Sequence, residues 1–284
     1  MQEFRPKRFE VLPVVIKNLL IINCIVFLAQ LAFDGIGPQG GLTPGIGRIM
    51  DNFALHYIQS PLYKPWQFLT HMFMHGSLSH LLFNMFALWM FGNVLENIWG
   101  PKRFLIFYLV SGFGAAALHM LTLYFQFHPV LEAYNQLALT PDYEHFNSFV
   151  KEFAEANGRE KSMELLRVWD SFRSDAAFKS EFLERVGRQL DFVISEPTIG
   201  ASGAVFGCLA AFGMMFPNSY LYLYFFIPIK TKWFVIGYIL LELFLSFSTS
   251  AGNSIAHMAH VGGAITGAIL VWFWKRKNPR VRNF

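Results

Sequence analysis

Six stretches of this chain, at about Val11–Phe33, Leu78–Trp99, Phe104–Phe127, Ser202–Phe216, Trp233–Phe247 and Ile255–Trp274, run apolar with almost no charge. A helix needs roughly 20 such residues to cross about 30 Å of hydrocarbon, and several of the stretches come near that length. The fourth and fifth are shorter, so they require extra turns at their ends or a site that opens to water. Composition agrees with a lipid environment. Of 284 residues, 54% are hydrophobic and only 15% charged, against roughly a quarter charged in a soluble domain. That balance excludes a disordered chain, a disulfide scaffold and a cytosolic enzyme whose apolar residues alternate with charge. Cys24 and Cys208 both sit inside apolar runs, so no disulfide framework is implied. The expected fold class is all-α, a polytopic membrane protein with a bundle of six transmembrane helices.

The first stretch follows Arg5, Lys7 and Arg8 and so resembles the start of a signal peptide. It is longer than the usual apolar region of about 7–15 residues and no A-x-A cleavage site follows, so a retained helix is expected. Lys and Arg in the connections sort to one side. Arg5, Lys7, Arg8 and Lys17 stand at the N-terminal end, Lys102 and Arg103 in the second connection, and Lys230 and Lys232 in the fourth. Lys275, Arg276, Lys277, Arg280 and Arg282 stand in the tail, while the opposite side carries only Arg48 and Lys64. Basic residues favour the cytoplasmic side, so both termini are expected there. The net charge of +4 is then a topology signal. Nucleic-acid binding would want the basic residues on one soluble face, and no nucleic-acid partner is expected.

One segment breaks the apolar pattern. Between about His128 and Pro197 there are eight basic and thirteen acidic residues. Leu165, Trp169, Phe172, Ala176, Leu183, Val186, Leu190 and Val193 recur there at three- and four-residue steps, the stripe of an amphipathic helix. This predicts a helical, extracytoplasmic insertion between helices 3 and 4, either packed on its own apolar face or lying on the outer membrane surface. The chain divides accordingly into 1–127 with the first three spans, 128–197 as the insertion, and 198–284 with the last three spans and a basic cytoplasmic tail.

Chemistry-bearing residues cluster at the ends of three spans. The fourth opens on Gly200-Ala201-Ser202-Gly203, with Gly207 beyond. A serine at a helix N-terminus has free amides beside it for a developing oxyanion. Glycines spaced by four in a membrane helix also serve as a packing face, and both readings stand. In the sixth span His257 and His260 lie beside Gly262, Gly263 and Gly267. An imidazole inside a membrane helix is costly to bury and marks a functional-site candidate. His260 lies about five residues in from the outer end of its span, roughly 7.5 Å at 1.5 Å per residue, and Ser202 starts a span from the same side. Gly203, Gly207, Gly263 and Gly267 would let those helices approach until hydroxyl meets imidazole, making Ser202 a nucleophile and His260 its base. His257 is expected to tie helix ends together by a hydrogen bond. On the second span His80 and Asn84 are four apart and share a face; with the Ser202 amide they would form an oxyanion hole. His75 is expected to hold the preceding loop through hydrogen bonds. A metal at His71, His75 and His80 is disfavoured, because no H-E-x-x-H pattern and no suitably placed carboxylate accompany them.

The set His75, His80-Leu81-Leu82-Phe83-Asn84, Gly200-Ala201-Ser202-Gly203 and Ala259-His260-Val261-Gly262-Gly263 resembles the rhomboid family of intramembrane serine proteases. Glu96, Gly100 and Tyr108 also match its pattern, and the likeness covers roughly residues 60–125 and 198–275. The resemblance implies a Ser202–His260 dyad without a carboxylate, cleaving transmembrane segments of membrane proteins through an acyl-enzyme. Its partners are transmembrane protein substrates and membrane lipid, and it implies neither metal nor organic cofactor. Consistent with a dyad, no Asp or Glu lies near either histidine along the sixth span.

Two features depart from the family: Trp66-Gln67 stands where a Trp-Arg pair is common, and some 70 residues are inserted just before the nucleophile. Glu242, in the fifth span, would neighbour the lateral route of a substrate by resemblance; the other reading is a protonated or water-contacting carboxyl facing other helices. An inactive rhomboid-like protein that binds transmembrane helices is the alternative, against which Ser202 and His260 both being present argues. A transporter would show internal repeats, which the sequence does not. The basic termini and few cysteines fit a prokaryotic inner membrane.

Overall fold

In the computed structural model, which describes residues 9–35, 49–157, 169–223, 226–248 and 251–277, the apolar runs fold as helices. Arg5, Lys7, Arg8, Arg48, Leu165, Arg280 and Arg282 lie outside the described residues. Helix α1 (Val14–Asp34) begins behind Pro13 with no side-chain cap of its own. Its first amides donate instead to the Glu96 carboxylate, Val15 at 2.9 Å and Ile16 at 2.8 Å. A buried helix start leaves unpaired N–H groups and a partial positive charge, and an anionic acceptor from elsewhere in the chain answers both.

Short helices α2 (Ile49–Phe53) and α3 (Gln67–Thr70) follow, then a single 3₁₀ turn at His71–Phe73. Ser77 caps α4 (Leu78–Ala87) by accepting from the His80 amide. The helix continues through a π-helical turn at Leu88–Gly92 into α5 (Asn93–Trp99). Gly100, with φ +80°, then reverses the chain in a conformation that L side chains rarely adopt, and Pro101 opens the next helix.

Helix α6 (Pro101–Leu139) runs for 39 residues, about 58 Å, nearly twice the hydrocarbon thickness. The boundary at 127/128 therefore falls inside a helix: the third apolar run and the start of the polar insertion are one rod. Beyond it come α7 (Tyr143–Asn157), α8 (Trp169–Ser174) and α9 (Ala176–Ile194), the last capped by the Asp175 carboxylate. Val130, Leu137, Phe146, Phe149, Phe172 and Leu190 bury one another in a small core of their own. Of the sequence stripe, Phe172 and Leu190 are buried and Leu183 and Val186 pack on them, while Ala176 is exposed.

Helix α10 (Ser202–Met215) is followed by strands β1 (Tyr220–Leu223) and β2 (Ile227–Lys230), paired antiparallel with Tyr220 opposite Lys230. This hairpin departs from the all-α expectation. Tyr220 and Tyr222 in one strand and Ile227 and Ile229 in the other recur at a period of two, which the apolar-run reading passed over. Helices α11 (Thr231–Ser248) and α12 (Ala251–Lys277) complete the chain. Among the described residues three helical stretches, Val14–Asp34, Leu78–Trp99 and Pro101–Leu139, are long and apolar enough to cross a membrane. Helix α10 is apolar but shorter, at 14 residues. The chain is a mostly helical, multi-pass membrane protein.

Candidate active site

Ser202 is the first residue of α10, where Ala201 is the cap residue and no side chain takes the first amides. His260 Nε2 lies 2.9 Å from Ser202 Oγ. That contact across 58 residues depends on backbone-to-backbone packing of α10 against α12. A Cβ on Gly263 would fall on the Gly203 carbonyl, and one on Gly267 would lie 2.7 Å from Gly207 Cα. Phe206, four residues after Ser202 and so on the same face, stacks on the His260 ring at 4.3 Å and 6°. Tyr238 of α11 packs on Phe206 in turn, with ring centroids 5.0 Å apart.

The chain leading to Ser202 is pinned from several sides. Leu55 and Thr198 exchange both backbone hydrogen bonds, at 2.9 and 2.8 Å, and Gly200 N–H donates to His71 O at 2.9 Å. Gly200 has φ +130°, and a Cβ there would lie 3.0 Å from His80 Nε2 and 3.5 Å from Ser202 Oγ. Glycine therefore keeps open the space between imidazole and hydroxyl. Gly76 N–H points at His80 Nδ1 from 3.4 Å. With Nδ1 accepting, the proton sits on Nε2, which faces that space as a donor.

Asn84 is placed differently from expectation. Its Nδ2 donates to His80 O at 3.1 Å, along its own helix, and it stands outside the residues lining the cavity around Ser202. His75 also differs. Its main-chain N–H donates to Gln30 Oε1 at 3.0 Å, but neither ring nitrogen has a partner among the described residues, and the ring meets His80 edge-on at 5.0 Å. The loop is thus held through the backbone of His75 and through packing. Burial, with His80 beside it, pushes His75 down to about 3, and burial pushes His71 down to about 4. Unfolded imidazoles titrate near 6.5, so below that pH the unfolded chain binds more protons than the fold. The stability these rings supply is present above pH 6.5 and is lost as pH falls toward 4. In detergent the unfolding midpoint should drop from about pH 7 to about pH 5, and His75→Gln should flatten the drop. Parallel slopes for the two proteins would remove His75 from this account.

The expectation of a histidine without a carboxylate is corrected here. Glu242 of α11 reaches both histidines of α12: its Oε2 lies 2.8 Å from His260 Nδ1 and 2.6 Å from His257 Nδ1. The carboxyl is buried and faces another helix, α12, where the two histidines are its partners. The tie expected of His257 exists, and Glu242 is its partner. Glu242, His257 and His260 form a cluster of potential metal-ligating side chains among the described residues. Its contacts have hydrogen-bond lengths and geometry that need no ion between them.

Gln67 is fully buried. Its Oε1 accepts from Lys64 N–H at 3.0 Å and its Nε2 donates to Leu62 O at 2.9 Å. An amide serves this site because the partners are backbone groups of both polarities. Sequence reasoning also missed His119, whose Nε2 lies 2.6 Å from Thr198 Oγ1 at the cavity wall. The signal was available, since His119 is an imidazole inside an apolar run.

Comparison with known proteins agrees with this architecture. The family model described as Rhomboid domain matches residues 63–128 and 176–277, more than half of the chain, and leaves out most of the polar insertion. RHOMBOID-like protein 12, mitochondrial, of Arabidopsis thaliana is 24% identical over 263 residues, 93% of this chain and 59% of its own length. Rhomboid protease GlpG of Salmonella choleraesuis is 37% identical over 93 residues, 33% of this chain and 30% of its own. Rhomboid protease GluP of Bacillus subtilis is 43% identical over 47 residues, 16% of this chain and 9% of its own. This chain thus matches less than two thirds of the length of each of these relatives. With its matched segments carrying the Ser202–His260 contact and the glycine packing around it, the chain belongs to the rhomboid family.

Proposed function

We propose that this protein is an intramembrane serine endopeptidase that cleaves transmembrane segments of other membrane proteins. The observation that carries this reading is the 2.9 Å contact between Ser202 Oγ and His260 Nε2 at the open N-terminus of α10. In the first half-reaction Oγ attacks the scissile carbonyl and its proton passes to Nε2. The tetrahedral oxyanion is held by the Ser202 N–H and by His80 Nε2–H. The C–N bond then breaks, the proton goes from Nε2 to the leaving amine, and the acyl-enzyme remains. Water, deprotonated by the same nitrogen, releases the second fragment. His75, Gly200, Gly203, Gly263 and Gly267 support the geometry.

The reading carries a topology with it: six spans, both termini in the cytoplasm, and the insertion 128–197 outside. The asymmetry of Lys and Arg supports it, as does the 39-residue α6, which extends well past one bilayer thickness. A bacterial cell membrane fits this arrangement. The test is cleavage of a designed single-span substrate in liposomes by wild type and Ser202→Ala. Two fragments from wild type and none from Ser202→Ala are expected. Identical fragments from both would overturn the reading, and a folded but inert wild type would point to a helix-binding member without chemistry.

A further inference from the structure

We infer that the reacting unit has three members, Ser202, His260 and Glu242, with Glu242 as the positioning residue of the base. This rests on the protease reading above and goes beyond the dyad implied by resemblance.

The two nitrogens of His260 face opposite partners: Nε2 the Ser202 hydroxyl at 2.9 Å and Nδ1 the Glu242 carboxylate at 2.8 Å. Nε2 can accept the serine proton only while the ring proton sits on Nδ1, and an ionised carboxylate, which only accepts, selects that tautomer. Phe206 fixes the plane of the ring by stacking at 4.3 Å, and Glu242 fixes its rotation and its proton. A carboxylate among apolar helices needs donors. It has two: His257 and His260 are three residues apart on one face of α12, and both bond the same Oε2. His257 therefore anchors the anion that orients His260.

During attack the proton moves from Oγ to Nε2, while the Nδ1 proton stays where it is and Glu242 remains ionised. The imidazolium that forms sits against a negative charge in a site of low dielectric, where the attraction is stronger than in water. The proton then leaves on the amine and the ring returns to its starting tautomer.

Full-length wild type, Glu242→Gln and Glu242→Asp are compared in detergent for kcat and KM on the single-span substrate, for labelling by a fluorophosphonate probe, and for thermal unfolding. Glu242→Gln, which keeps shape but loses the obligate acceptor, is expected to lower kcat about 10²- to 10⁴-fold with KM within about twofold. Glu242→Asp restores a carboxylate and should recover at least about tenfold of that loss. A Glu242→Gln protein with kcat within about threefold of wild type would overturn the inference while leaving the protease reading intact. So would equal losses in Glu242→Gln and Glu242→Asp that track a fall in unfolding temperature, since those would mark a packing role. A folded wild type that neither labels nor cleaves would remove the protease reading and this inference with it.

Discussion

Ser202→Ala should lower the rate of substrate cleavage about 10⁴- to 10⁶-fold, and adding His260→Ala to it should lower the rate no further. The reason is that the two side chains act as one unit. The imidazole contributes only by taking the proton that the hydroxyl gives up, so with either one gone the other has nothing left to do. The 2.9 Å contact between Oγ and Nε2 is the physical form of that dependence. Two independent roles would instead multiply, and the double variant would be slower than wild type by the product of the two losses. Background cleavage in the variants should remain above that in water, because His80 and the first amides of α10 still polarise the carbonyl. Quenched single-turnover assays on wild type, both single variants and the double variant provide the comparison.

Gly263→Val should be the most damaging substitution for the fold. Its Cβ would land on the Gly203 carbonyl, and backbone atoms cannot swing aside as the end of a long side chain can. Overpacking in a dense core costs about 1–3 kcal/mol, and a clash with main chain belongs at or above the top of that range. Relief requires α12 to move away from α10, which carries His260 away from Ser202. A displacement of about 1 Å is enough to cost roughly 10²-fold in rate. The variant should therefore unfold at lower temperature and cleave at least about a hundredfold more slowly. Gly237→Ala serves as the control, because a Cβ there meets nothing within 4 Å. It should unfold at or slightly above the wild-type temperature, since alanine favours a helix interior over glycine. Wild-type unfolding by Gly263→Val would mean that α10 and α12 do not need to touch through their backbones.

The positions of the helices were legible because apolar length is written residue by residue. So was the meeting of Ser202 with His260, since each stands near the same end of its run with glycines at matching steps. What the sequence concealed are contacts that depend on how helices rotate against their neighbours. The sixth span itself carries no Asp or Glu beside its histidines, whereas Glu242 reaches His257 and His260 sideways from α11, 15 and 18 residues away. Likewise Asn84 shares a face with His80, yet its amide is engaged by the His80 carbonyl of its own helix. The length of α6 was hidden by a change of solvent within one helix, which turns polar after Phe127 without a break. Phe206, like His119, was a recoverable miss, because its place four residues after Ser202 follows from helix geometry alone.

The central claim is that Ser202 is a nucleophile activated by His260. Its most direct test is peptide mapping of the folded protein after reaction with a fluorophosphonate probe in detergent. The expected result is a single adduct on Ser202, absent from His260→Ala at the same probe concentration and time. An unlabelled wild type, an adduct on another serine, or equal labelling of Ser202 in His260→Ala would contradict it.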